Sequence, residues 1–352
     1  MSRNSATIFN QAPTKFHCQR FIQQLHMILL CVLVPVFFLV TTSTAHATAS
    51  LTLAHVSGHD DPIGRGGDQF AKNLEQVSKG KMTVKVIPEG ALGGIREIWA
   101  QMQVGAVDMQ VIDLGAISML KPAKAMQVVM LPYLFESQEH FRTFTNSELR
   151  AEMTADIMDK AGIRYLGIVA DRSPRIISTT GKVVKSVKDV AGLKIRVPGH
   201  PMFIKVFKSW GAVPTPISPS EMFMALKSGL VEAEDNGIAM LVNTSNREVI
   251  KSVTPINWTH AGVAAWIAES RWKLLSEQQR TWINEAITLT EQTSAREYKQ
   301  RMQDAQTKLT ELGIATQEAD IESFKTAIHN FHEQFDDIWP AGTVEKIKAM
   351  AD

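Results

Sequence analysis

Arg196 is the side chain whose place in the sequence first suggests chemistry. It lies in the β-branched run Leu193-Lys194-Ile195-Arg196-Val197, which Pro198 and Gly199 cut off, so its guanidinium stands where a strand runs out. There it can leave an apolar sheet and face a cleft. Its planar fork of N–H donors matches a carboxylate bidentately, and burial does not remove its charge. His55 and Asp113 close two other predicted strands, Leu51 to Val56 and Met109 to Ile112. Strand ends are where the clefts of α/β folds open.

Covalent and metal chemistry finds little support. The chain holds no G-x-S-x-G, H-E-x-x-H or C-x-x-C, and no cofactor is expected. His329, His332 and Asp336 share one predicted helical face, which reads better as a solvated face than as a metal site. His59-Asp60-Asp61 reads as a polar loop before Pro62, and Trp99, Trp210, Trp258 and Trp266 as core.

The elements that would position these residues are legible in order. After Leu51 to Val56, a helix is predicted over Gly66 to Ser78, with Phe70, Leu74 and Val77 at helical spacing, then a strand over Met82 to Ile87. That β-α-β order implies parallel strands joined by a right-handed crossover. Gly90 to Gly94 is a turn before the helix Ile95 to Val104, its spacing matching neither phosphate-binding fingerprint. A helix over Glu148 to Ala161 leads to the strand Arg164 to Ala170. The segment Asp171 to Arg175 (DRSPR) then crosses to the strand Ile176 to Thr180, and a second crossing falls near Thr259-His260.

Ser220 is expected to cap a helix with Met222, Phe223, Leu226 and Leu230 along one side, stopping at Ser228-Gly229 and followed by a strand ending in Glu232 to Asn236. From Ser276, which forms a capping box with Gln279, neither Pro nor Gly intervenes until Gly313. A helix of that length would reach about 55 Å. Its residues Tyr298, Met302, Ala305, Leu309, Leu312 form one narrow apolar stripe, for which a dimerising coiled coil is one reading. Ala319 to Trp339 reads as one further amphipathic helix.

Several ordered motifs run through this frame: Asp189 to Val197 (DVAGLKIRV), Gly211 to Pro216 (GAVPTP) and Glu221 to Asn236 (EMFMALKSGLVEAEDN). Gly80 to Pro88, Leu92-Gly93 and Leu131 to Phe135 (LPYLF) continue the series. In these the chain resembles the solute-binding proteins of tripartite ATP-independent periplasmic (TRAP) transporters, the DctP type, over nearly all of its length after residue 50. The resemblance implies an α/β fold of two domains, each a mixed sheet flanked by helices, with a strand hinge and a long C-terminal helix bracing both. It places domain I at 48–171 plus 262–300 and domain II at 172–261 plus 301–352.

It also implies that Arg196 pairs with a ligand carboxylate, that Arg175 matches a second arginine and that Asn236 donates to the other carboxylate oxygen. Arg172 is an additional arginine facing cleft or solvent, Glu221 joins the candidate ligand-binding residues, and His260 falls on a family motif as core or contact. Asp113 beside a carboxylate ligand would repel it, and so is expected to accept hydrogen bonds from hydroxyls or an amine. That favours a sugar acid such as a uronate or aldonate over a C4-dicarboxylate. Glu232, Ala233, Pro174 and Pro219 depart from the family pattern and alter the local turns or pocket wall. The expected partners are the small and large TRAP membrane subunits. Alternative readings are an exported enzyme acting on sugar acids and a ligand-sensing receptor for a membrane kinase.

The ends and composition agree with export. Residues 1–47 hold Arg3, Lys15 and Arg20 but no acid, then the apolar run Met27 to Val40 and Ala45-His46-Ala47. This describes a secretory signal peptide, cleaved after Ala47 or Ala49, with an uncleaved anchor as the alternative. Its loss takes the formal charge from +1 to −2 and removes both cysteines, Cys18 and Cys31. A near-neutral, cysteine-free chain argues against nucleic acid as a partner and excludes disulfide or thiolate chemistry. A monomer is expected.

Overall fold

The computed structural model describes residues 49–335 and 337–351. The signal segment, both cysteines and Asp336 of the His329/His332 face lie outside the described residues. Strand β1 (Ala49–Ala54) leads to helix α1 (Pro62–Val77), strand β2 (Met82–Ile87), helix α2 (Ile95–Gln103) and strand β3 (Met109–Asp113). Two 3-10 stretches, Leu114–Met119 and Lys121–Met130, precede helices α3 (Gln138–Thr145) and α4 (Glu148–Ala161) and strand β4 (Ile163–Arg172). Then come β5 (Arg175–Thr179), β6 (Lys194–Val197), α5 (Pro201–Ser209), β7 (Val213–Pro216), α6 (Met222–Lys227), β8 (Ala233–Gly237) and α7 (Ile238–Asn243). The chain finishes with β9 (Ser252–Thr254), β10 (Ala261–Ala268), helix α8 (Glu277–Glu311), β11 (Ala315–Thr316) and short helical turns.

Two mixed sheets result. The first has the order β2-β1-β3-β10-β4 and the second β11-β9-β5-β8-β6-β7. The β1-α1-β2 unit is parallel, as its order demanded, while β10 runs antiparallel between β3 and β4. The chain passes from the first sheet to the second at β4–β5, returns at β9–β10, and passes over again through α8 to β11.

Helix α1 begins four residues before the predicted start. Asp61 caps it by accepting from the Ile63 N–H at 2.7 Å, with Pro62 at the first helical position. Gly64 and Gly66 obscured this start, yet they serve packing: a Cβ on Gly66 would press into Val169 of β4, 2.9 Å away. The capping box of α8 is present, Gln279 N–H to Ser276 Oγ at 3.2 Å and Ser276 N–H to Gln279 Oε1 at 2.9 Å. The helix runs 35 residues and packs on α1 and β4 at one end and on α7 and β11 at the other. A Cβ on Gly167 would run into Ile287, so β4 and α8 meet backbone to side chain.

Two expectations fail locally. Helix α6 starts at Met222 after Glu221, not after a Ser220 cap; it stops at Ser228 as expected, which leaves Leu230 beyond it and 62 % exposed. Ser220 instead lies within hydrogen-bond distance of the Ser218 hydroxyl. The tail breaks into Ile321–Thr326, a turn and a 3-10 stretch Phe331–Phe335, though Phe324, Ile328, Phe331, Phe335 and Trp339 all join one core cluster. Trp210 donates to Phe324 O at 3.1 Å, whereas Ile347 O meets His140 Nε2 at 2.7 Å. The four tryptophans read as core are 0–3 % exposed.

Candidate functional site

A cavity of about 420 Å³ opens between the ends of β3 and β4 on one side and β5, β6 and β8 on the other. Arg172, Arg175, Arg196, Asn236 and Asp113 all line it. Strand geometry brings them together. Arg196 and Asn236 lie on β6 and β8, which pair in parallel, while Arg172 and Arg175 flank the two-residue link from β4 to β5.

Arg196 is 3 % exposed, and among the described residues its side chain makes one hydrogen bond, from Nε to the Ile217 carbonyl at 2.9 Å. Among the described residues no carboxylate lies within ion-pair distance of it. Burial, aided by Arg175, lowers its pKa to about 10. A cation held dry with no carboxylate at ion-pair distance is costly, and an arriving anion relieves that cost.

Directly across the strand pairing from Arg196 stands Glu234, fully buried, with Oε2 accepting from Asn246 at 3.1 Å and Oε1 unpartnered. Burial pushes its carboxyl up to about 7, against the pull of Arg196 and the hydrogen bond from Asn246. An acid whose folded pKa exceeds its unfolded value costs stability as pH rises between the two, here from about 4.5 to about 7. Glu234→Gln is therefore expected to stabilise the fold at pH 8 by on the order of 2 kcal/mol and hardly at pH 4. Denaturant melts at both pH values measure this; a gain equal at both would remove Glu234 as the source.

The other two arginines have partners. Arg175 donates from Nε to Asp235 Oδ2 at 2.9 Å and from Nη2 to the Asp235 carbonyl at 2.7 Å, and lies 4.8 Å from the Phe203 ring centroid. Asp235 is 0 % exposed and also accepts from Trp258 Nε1 at 2.9 Å. Arg172 faces the cavity and not solvent, donating to Asp113 at 3.1 Å with Asp61 at 3.9 Å. Desolvation raises the Asp113 carboxyl above its ordinary range, and Arg172 opposes that rise. Asn236 accepts the Gly237 N–H on Oδ1 at 3.0 Å, which leaves Nδ2 for the cavity.

Two predicted site residues lie elsewhere. His55 is fully buried with both ring nitrogens unpartnered; β1 ends one residue earlier, and Gly67 of α1 packs beside its ring. Its neighbours Val56 and Ser57 form the wall in its place. Glu221 is exposed at the start of α6, accepting from Ser218 Oγ at 2.5 Å, outside the cavity lining. His260 borders a separate depression with Tyr133 and Tyr298, and burial lowers its pKa to about 4. Sequence reasoning missed the counter-charges Asp61, Asp235 and Glu234. The Asp61-Pro62 helix start was a usable signal; two adjacent acids within a strand pointed to burial only in hindsight.

Comparison with known proteins decides what this architecture is. A family model of bacterial extracellular solute-binding proteins, family 7 (DctP), matches residues 53–337. The chain belongs to that family. Members of the DctP family are solute receptors and not enzymes. The sialic acid-binding periplasmic protein SiaP of Vibrio cholerae is 25% identical over 281 residues, 80% of this chain and 86% of the relative. The C4-dicarboxylate-binding periplasmic protein DctP of Rhodobacter capsulatus is 27% identical over 237 residues, 67% and 70% of the two chains. A TRAP periplasmic solute-binding protein from a Bradyrhizobium species, in complex with D-galacturonate, superposes with a TM-score of 0.76 at 26% identity, covering 85% of this chain and 99% of its own. One from Ochrobacterium anthropi with bound L-fuconate has a TM-score of 0.79 at 24% identity over 86% and 99%, a likeness of fold.

Proposed function

We propose that this chain is the exported receptor of a TRAP-type transporter, holding a small organic acid by its carboxylate on Arg196 and Asn236. The observation that carries this reading is the buried guanidinium of Arg196, which lines the cavity with no carboxylate among the described residues at ion-pair distance. Relatives of the DctP family that bind sialic acid, C4-dicarboxylates and galacturonate support the ligand class. The lobes are 48–171 with 262–300 and 172–261 with 301–352, and closure about the strand links seals the acid inside. A ligand drives such closure only through extra affinity for the closed state. A second contact from Arg175 Nη1, made on closure, would supply it. After loss of its leader the protein works as a monomer in the periplasm and delivers the acid to the small and large membrane subunits.

A thermal-shift series of organic acids, each paired with its primary amide, tests this. Acids that bind should raise Tm by several degrees when held far above their dissociation constants, and the amides should not. Equal shifts from acid and amide would argue against recognition of a carboxylate.

A further inference from the structure

Resting on that reading, we propose that the ligand is a monocarboxylate with a mainly apolar body, and neither a polyhydroxylated sugar acid nor a dicarboxylate. Two independent features of the cavity lead there.

The first is charge. Three arginines line the cavity, but Arg172 stands between Asp113 and Asp61, and Arg175 is matched by Asp235 at 2.8 Å. Arg196 is thus the one lining cation among the described residues without a carboxylate at ion-pair distance. One unmatched cation calls for one carboxylate. At the β3–β4 end the two acids around Arg172 leave an excess of negative charge, which disfavours a second anionic group there.

The second is the wall. Ile63, Ile112, Met119, Val129, Phe203 and Ile217 supply much of its surface. Several of the polar side chains among them are already engaged within the protein. His200 takes the Met202 N–H on Nδ1 and meets Ser118 Oγ with Nε2, Ser218 donates to Glu221, and Thr259 donates to the His260 carbonyl. Asp113 is committed on Oδ1 to Arg172, so the residue that pointed to a hydroxylated acid offers at most its second oxygen. What remains for the ligand is the outer nitrogens of Arg196, Arg175 Nη1, the nitrogens of Arg172 not given to Asp113, Asn236 Nδ2 and the Ser57 hydroxyl, donors clustered around a carboxylate rather than spread along a polyhydroxylated chain. A uronate brings several hydroxyls, and each one buried without a partner costs about tenfold in affinity. An aliphatic or aromatic body gains from the same wall.

The test is calorimetric titration of the purified protein with 4-methyl-2-oxopentanoate, phenylpyruvate, D-galacturonate and succinate. The monocarboxylates with apolar bodies are expected to bind at least about tenfold more tightly than galacturonate and succinate. Tighter binding of galacturonate or succinate would overturn this inference and leave the receptor reading standing. Binding of none of the four, or of further acids in the thermal-shift series, would overturn both.

Discussion

Arg196→Ala is expected to abolish acid binding at ordinary concentrations while leaving the fold and its melting temperature intact. Truncating one side of a desolvated, hydrogen-bonded charge pair costs about 2–5 kcal/mol, or roughly 30- to 4000-fold in affinity. Stability should not follow. Among the described residues the guanidinium has no carboxylate at ion-pair distance and one hydrogen-bond partner, the Ile217 carbonyl, and its burial already pulls its pKa down to about 10. Its removal enlarges an existing cavity and leaves no carboxylate stranded at ion-pair distance. Titration calorimetry and a thermal melt on one preparation read both halves; near-normal affinity in the variant would end the assignment.

Arg175→Ala should behave in the opposite way. Here the arginine neutralises Asp235, which is 0 % exposed and otherwise holds only the Trp258 indole N–H through its side chain. Removing one partner of a buried pair costs about 3–5 kcal/mol, because the remaining charge is left uncompensated. A fall in Tm of many degrees is expected, together with weaker binding. Arg175→Met combined with Asp235→Asn should recover much of the stability, since no charge is then buried alone. If Arg175→Ala melted like the parent, Asp235 would have to find another cation, and the charge ledger of the cavity would be wrong. The two alanine variants thus separate an arginine kept for a ligand from one kept for the fold.

Much of this was legible in the sequence because local rules agreed with the global fold. The β-branched strand and the Pro198-Gly199 stop point Arg196 to a cleft, and the family resemblance matches Arg175 and Asn236, which line the same cavity; Arg172, which matches no motif and reads as facing cleft or solvent, lines it too. The capping box of Ser276 and Gln279 marked the start of α8 correctly. What escaped were facts of pairing. A sequence shows that Arg175 and Arg196 are both arginines, but only the antiparallel register of β5 with β8 sets Arg175 against the Asp235 region and leaves Arg196 unmatched. His55 failed because strand ends are uncertain by a residue, and one residue turns a side chain from cleft to core. Glu221 failed because a motif residue can serve the loop that carries it; its carboxylate holds Ser218. The apolar wall was hidden for a related reason: Ile63, Met119 and Val129 are far apart in the chain and meet only across the crossovers.

The measurement that bears most directly on the central claim is a crystal structure of the complex with the tightest-binding acid. The ligand carboxylate is expected to sit on the two outer nitrogens of Arg196 in a bidentate pair at about 2.7–2.9 Å, with Asn236 Nδ2 on one of its oxygens. A carboxylate bound elsewhere in the cavity, with Arg196 still held only by the Ile217 carbonyl, would contradict the account.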